Sequence, residues 1–134
     1  MSSILDDLPA LSLSDPQGMS AILAGFDGQL EEALKLDLEL EMPSPGEIRN
    51  ILICGLGGSA IGGDFLRAYL GADLKIPLQV NRHHTLPGFA GASTLAFICS
   101  YSGHTQETLS AFHEARKAGC AVVCWTSNGQ LQDL

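Results

Sequence analysis

Long apolar runs are missing from this 134-residue chain, and no stretch approaches the roughly 18 residues that a membrane-spanning helix needs. A targeting leader is not expected either. The first seven residues carry Asp6 and Asp7 where a secretory signal would be basic, so the expectation is a cytoplasmic protein with no membrane attachment. Lys and Arg are scarce, seven against fifteen Asp and Glu, and they form no cluster. The electrostatic footprint of a nucleic-acid binder is therefore absent, and nucleic acid is not an expected partner. The four cysteines, Cys54, Cys99, Cys120 and Cys124, include no C-x-x-C pair. Without a secretory signal they read as reduced, buried thiols acting as small hydrophobes, and no metal site is expected.

What is present is enough apolar material for one folded domain: 46% of residues are apolar and 16% are charged. The charge is unevenly placed. Residues 1–48 hold ten carboxylates against Lys35, a net −9, whereas residues 49–134 hold six basic and five acidic side chains, a net +1. The acidic balance thus belongs to a leader, and a near-neutral body can still hold a small anion through backbone dipoles.

The leader, residues 1–48, reads as helical. Asp15-Pro16 predicts an N-cap and a first helical residue, with Met19, Ile22, Leu23 and Phe26 at helical spacing until Gly25 and Gly28 interrupt. A second helix is expected from Asp27, with Leu30, Ala33, Leu34 and Leu38 on one face, although Leu36, Leu38 and Leu40 alternate as a strand would. Pro43-Ser44-Pro45-Gly46 reads as a turn or linker.

The body, residues 49–134, changes pattern. Four short apolar runs predict strands at Ile51–Cys54, Leu78–Val80, Thr94–Cys99 and Ala121–Trp125. The last two are continuously apolar, as strands covered on both faces are. A helix is predicted from about Ser59 to Leu70, with Ile61, Phe65 and Tyr69 on one stripe and Gly71 as its stop. A second spans about Gln106 to Ala118, with Leu109, Phe112 and Arg116 sharing a stripe with small alanines and Gly119 ending it. Trp125 reads as core and His113 as exposed. The alternation predicts an α/β fold, a parallel sheet flanked by helices. After the fourth run the chain enters what should be the first turn of another helix. A sheet covered on both faces is expected to continue, so the chain reads as the front part of a longer protein.

Two loops carry candidate chemistry. Cys54-Gly-Leu-Gly57-Gly58-Ser59-Ala60-Ile-Gly-Gly-Asp64 lies between a strand and a helix, where glycines let the backbone approach a ligand and the helix start attracts an anion. Gly55-x-Gly57-x-x-Ala60 also satisfies a dinucleotide fingerprint. That motif expects an acid about 20 residues on, and the chain offers Asn81 and Arg82, leaving open only a cofactor whose 2′-phosphate meets Arg82. Ser100-Tyr101-Ser102-Gly103-His104-Thr105-Gln106-Glu107-Thr108 again joins strand to helix. Its three hydroxyls, Ser100, Ser102 and Thr105, can converge on one anion, the chemistry of a phosphate cradle without lysine or metal, while plain N-capping is the alternative.

Together, GLGGSAIGGD, SYSGHTQET and the later TSNGQL resemble the N-terminal sugar isomerase (SIS) domain of bifunctional phosphoglucose/phosphomannose isomerases. The resemblance implies a flavodoxin-like three-layer sandwich and a site for a phosphorylated hexose built from Gly58, Ser59, Ser100, Ser102 and Thr105. It also implies conversion of glucose 6-phosphate or mannose 6-phosphate to fructose 6-phosphate without cofactor or metal, in a longer homodimeric protein. The family's base, ring-opening histidine and cation come from later segments, so no catalytic residue is expected in this chain. His104 stands where such loops usually carry Asn, Gln106 where an acid is common and Asn128 where Gly is common. Glu107 fits dipole compensation in its helix, and His83 and His84 fit a loop. A phosphosugar-binding module without chemistry, and more distantly a dinucleotide-binding oxidoreductase fragment, stay open beside the isomerase reading.

Overall fold

The computed structural model describes residues 6–37, 39–40, 43–44 and 47–134, so Leu38, Pro45 and Gly46 of the readings above lie outside the described residues. The chain forms two compact units, Met1–Glu41 and Met42–Leu134.

The first unit contains three short helices, α1 (Leu8–Ser14), α2 (Met19–Ala24) and α3 (Phe26–Ala33), none with a buried residue. Asp7 starts α1 by accepting from the Ala10 N–H at 3.2 Å. The expected helix from Pro16 begins later, because Gly18 adopts a left-handed φ of 68° just before Met19. Asp15 still serves the helix start: its carboxylate accepts from the N–H groups of Met19 and Ser20 and from the Ser20 hydroxyl, at 2.7–2.8 Å. Those bonds, from Ser20 first, hold its carboxyl below the usual range. Gly25 separates α2 from α3, whereas Gly28 lies inside α3 and interrupts nothing.

The second unit is a four-stranded parallel sheet of β1 (Asn50–Cys54), β2 (Leu78–Asn81), β3 (Thr94–Ser100) and β4 (Ala121–Thr126), in the order β2-β1-β3-β4. Its helices are α4 (Gly58–Leu70) between β1 and β2 and α5 (Gln106–Ala118) between β3 and β4. The first crossover steps outward on one side of β1, and the second steps away on the other. Right-handed crossovers therefore put α4 and α5 on opposite faces. Register agrees. Leu52, Cys54, Ala96 and Ile98, on the face below α5, cluster with Leu109, Ala111, Phe112 and Ala115, while a β-carbon on Gly63 of α4 would stand 3.0 Å from Ile53 and 3.1 Å from Val80 on the other face.

This arrangement corrects four expectations. The buried residues of α4 are Ala60 and Gly63, because the helix lies close upon the sheet; its Ile61, Phe65 and Tyr69 stripe points away and is exposed. In α5, Arg116 is exposed while Leu109 and Phe112 are buried. Trp125 is 56% exposed because β4 is an edge strand, beyond the strands β1, β2 and β3 on which α4 packs. His113 is exposed, as expected. All four cysteines are free thiols; the expected burial holds for Cys54 and Cys120 and in part for Cys99, but is corrected for Cys124, which is exposed on the edge strand β4. Among the described residues, no helix is long and apolar enough to cross a membrane.

Burial pushes the Cys54 thiol from its ordinary 9.0 up to about 11. The unfolded chain therefore releases this proton at lower pH than the folded one, so the neutral thiol's contribution is complete below about pH 9 and lost as pH rises toward 11. Urea titrations at pH 8 and pH 10.5 should show a fall of up to about 2 kcal/mol from this group, reduced in Cys54→Ala. An identical fall in the variant would show that Cys54 is not the titrating group.

Candidate functional site

Parallel sheets whose strand order reverses direction leave a crevice beyond the carboxyl ends of the strands at the switch point, here between β1 and β3. Three loops meet there. The β1–α4 loop approaches β3 so closely that a β-carbon on Gly55 would lie 2.9 Å from the Cys99 carbonyl oxygen. The β3–α5 loop turns at Gly103, with φ of 67°, and a β-carbon there would overlap the Asn128 carbonyl of the loop after β4. Gly129, with φ of 81°, stands in the reciprocal position against Ser102. Glycine is required at both, for handedness and for space.

The hydroxyls are distributed by this packing. Ser100 at the end of β3 is 3% exposed and points to the α5 side, where its Oγ lies 3.2 Å from Thr105 Oγ1 and accepts from the Gly103 N–H at 3.1 Å. Thr105 is the N-cap residue of α5, yet its side chain makes no capping hydrogen bond. Its hydroxyl meets Ser100 instead, which separates it from the plain capping role. Ser102 is exposed, and its Oγ is within 3.4 Å of the His104 N–H. Ser59 does not cap α4 either. Gly57 holds that position, and Ser59 Oγ accepts from the Tyr101 N–H at 3.3 Å, tying the first loop to the second. Gly58, the first residue of α4, has open space where a side chain would stand.

Tyr101 and Ser127 were not singled out as site residues by the sequence patterns. The Tyr101 carbonyl accepts from the Ser127 hydroxyl at 2.6 Å and from its N–H at 3.3 Å, so the second loop is held from both sides. A serine directly after an apolar strand, in the same place in the third loop as in the second, is the available signal. On the α4 face these loops open into a trough of about 930 Å³, with Ser59, Ser100, Tyr101 and Ser127 at its rim and Phe97 and Trp125 among its lining.

The remaining polar candidates stand apart from the hydroxyls. Asn81 is 3% exposed and its amide donates to the carbonyls of His83 and Thr85, folding the loop after β2. Arg82 is paired with Asp64, which also meets Arg67 at 3.4 Å. Neither residue is presented as a cofactor-ribose ligand, and the strand order is the flavodoxin-like one. Glu107 is half-buried in the first turn of α5, beside a small crevice shared with Arg82 and His83. His83, His84 and His104 are exposed. Among the described residues, no group of three or more His, Cys, Asp or Glu side chains is placed to hold a metal ion.

Comparison with known proteins decides the kinship. The chain is 39% identical over 107 residues to a bifunctional phosphoglucose/phosphomannose isomerase of Caldicellulosiruptor bescii, a match covering 79% of this chain and 32% of that protein. It is 39% identical over 114 residues to the protein of the same description from Aquifex aeolicus, covering 84% of this chain and 33% of the other. The chain is homologous to these isomerases. It spans about a third of their length. The fold matches that of a Clostridium difficile 630 protein described as a phosphosugar isomerase, at a TM-score of 0.55 and 22% identity, over 94% of this chain and 35% of that one. A Salmonella typhimurium LT2 structure of similar description gives 0.54 and 21%, over 71% and 34%. No protein-family model matches the chain. Homology to the bifunctional isomerases and the parallel α/β fold both agree with the sequence reading.

Because the loops are joined backbone to backbone, Gly103→Ala should lower stability by about 2–4 kcal/mol, combining left-handed strain with overpacking. Gly58→Ala, in open space at a helix start, should change it by less than about 1 kcal/mol. Thermal denaturation of the two variants checks this, and equal stability would refute the close contact between the second and third loops.

Proposed function

We propose that this chain supplies the substrate-phosphate site of a sugar-phosphate isomerase that interconverts glucose 6-phosphate or mannose 6-phosphate with fructose 6-phosphate. Residues 49–134 are its sugar isomerase domain, and Gly58, Ser59, Ser100, Ser102 and Thr105 hold the phosphate. The supporting observation is the Ser100–Thr105 hydroxyl pair at 3.2 Å beside the start of the 13-residue helix α5. Hydroxyls can donate to phosphate oxygens, and the positive end of the helix dipole favours the same charge. Kinship with isomerases over a third of their length supports the choice of ligand.

Aldose–ketose isomerisation moves a proton between neighbouring carbons beside a carbonyl, and needs a carboxylate base, a group to open the sugar ring and stabilisation of the developing enediolate. In this reading residues 1–134 bind and orient the phosphate end, and those groups are supplied elsewhere in a longer, cytoplasmic, homodimeric protein.

Calorimetry with fructose 6-phosphate tests the anion site. A hydrogen bond to a charged phosphate contributes about 1.5–3 kcal/mol, so Ser102→Ala should weaken binding by roughly 10–150-fold. Unchanged affinity would remove Ser102 from the cradle. In a coupled assay with EDTA present, the 134-residue chain alone should show negligible turnover. Turnover of about 1 s⁻¹ or more, within the ordinary enzyme range, that disappeared in Ser100→Ala/Ser102→Ala would put the base inside these residues and refute the division of labour.

A further inference from the structure

The trough beside the hydroxyl loops has a polar rim and an apolar floor, and one residue joins the two. Tyr101 lies between Ser100 and Ser102 in sequence, and its peptide group is bound on one side to Ser59 and on the other to Ser127. Its backbone is therefore among the most firmly tied in the site. Its side chain is nevertheless 80% exposed. The two neighbouring groups part company across the sheet: Ser100 points to the α5 side, where it meets Thr105, whereas Tyr101 lines the trough on the α4 side with Trp125, itself 56% exposed. Ser59 and Ser100, two of the residues assigned to the phosphate, line the same trough as the Tyr101 ring.

We propose that Tyr101 determines specificity for the carbon skeleton of the ligand, its ring packing on the apolar C–H face of a hexose whose phosphate is held by the Ser/Thr loops. This rests on the phosphate-site reading above and deepens it. A hexose presents hydroxyls at its edges and C–H groups on a face. A tyrosine offers both matching surfaces: an aromatic face for the C–H groups and a phenol hydroxyl for the edge. Only two side-chain torsions need be fixed on binding, since the backbone is already held, so the ordering cost is small. Inorganic phosphate has no such face, and glycerol 3-phosphate offers only a short, flexible one. The ring should therefore separate hexose phosphates from smaller phosphate compounds, and contribute nothing to the phosphate itself.

The test measures the affinities of inorganic phosphate, glycerol 3-phosphate and glucose 6-phosphate by calorimetry, for the 134-residue chain and its Tyr101→Ala, Tyr101→Phe and Ser102→Ala variants, with circular dichroism to verify folding. The unaltered chain should prefer glucose 6-phosphate to both smaller compounds. Tyr101→Ala should weaken glucose 6-phosphate about tenfold and leave inorganic phosphate within about twofold, Tyr101→Phe should keep most of the preference, and Ser102→Ala should weaken all three alike. Unchanged glucose 6-phosphate affinity in Tyr101→Ala, or an equal loss for inorganic phosphate, would overturn the role of the ring while leaving the anion site standing. Should Tyr101→Ala fail to fold, a Tyr101→Phe variant that lost its preference along with the hydroxyl would overturn ring packing, and one that kept it would support it. Failure of the unaltered chain to bind any of the three would overturn the anion site, and this proposal with it.

Discussion

Three loop backbones meet where β1, β3 and β4 end, and they meet in direct contact because no side chain stands between them. Gly55 faces the Cys99 carbonyl, and Gly103 and Gly129 face each other's loops, so a methyl group at any of the three would collide with main chain rather than with a movable side chain. Backbone cannot retreat as a side-chain tip can, and the contact therefore sets the spacing of the whole rim. Ser59 and Ser127 then fasten the Tyr101 peptide from either side. The hydroxyls of the site are positioned by these main-chain contacts before any ligand arrives.

The sheet supplies the place where that contact can happen. Reversal of direction between the two crossovers sends α4 and α5 to opposite faces and leaves the crevice between the carboxyl ends of β1 and β3. The two faces are packed differently. Below α5 lies a core of interlocking apolar side chains, Leu52 and Ile98 among them. Against α4 the contact is made by Ala60 and Gly63, which bring the helix close upon β1 and β2 and leave the edge strand β4 open on that side. The trough follows from this asymmetry, and it begins at the same hydroxyls that the loops arrange.

Electrostatically the site works with little formal charge. Arg82 and Arg67 are engaged with Asp64, and burial pushes the Cys54 and Cys99 thiols up from their ordinary value, away from the charged form. What remains to attract an anion is the field of oriented dipoles: hydroxyl groups, loop peptides and the start of α5, worth about half an elementary charge.

The amino-acid sequence by itself was sufficient for the four strands, both long helices and the location of the hydroxyl loops, because each of those depends on local rules: apolar runs of strand length, glycine stops after Leu70 and Ala118, and loops following strands. The Ser100, Ser102 and Thr105 spacing was visible for the same reason. It was not sufficient wherever burial depends on what lies across the sheet. Ile61, Phe65 and Tyr69 have the spacing of a buried stripe, yet the neighbouring Ala60 and Gly63 face the sheet, since close helix–sheet approach selects the small residues. Trp125 has a core residue's chemistry and an edge strand's exposure. Thr105 occupies a capping position in sequence, but only the folded loop turns its hydroxyl to Ser100. Ser127 and Tyr101, 26 residues apart, are joined only once β3 and β4 lie side by side. Local sequence thus determined the elements and the chemical groups available, whereas tertiary structure decided which of those groups face one another, because the register of strands and the crowding of backbones are properties of segments distant along the chain.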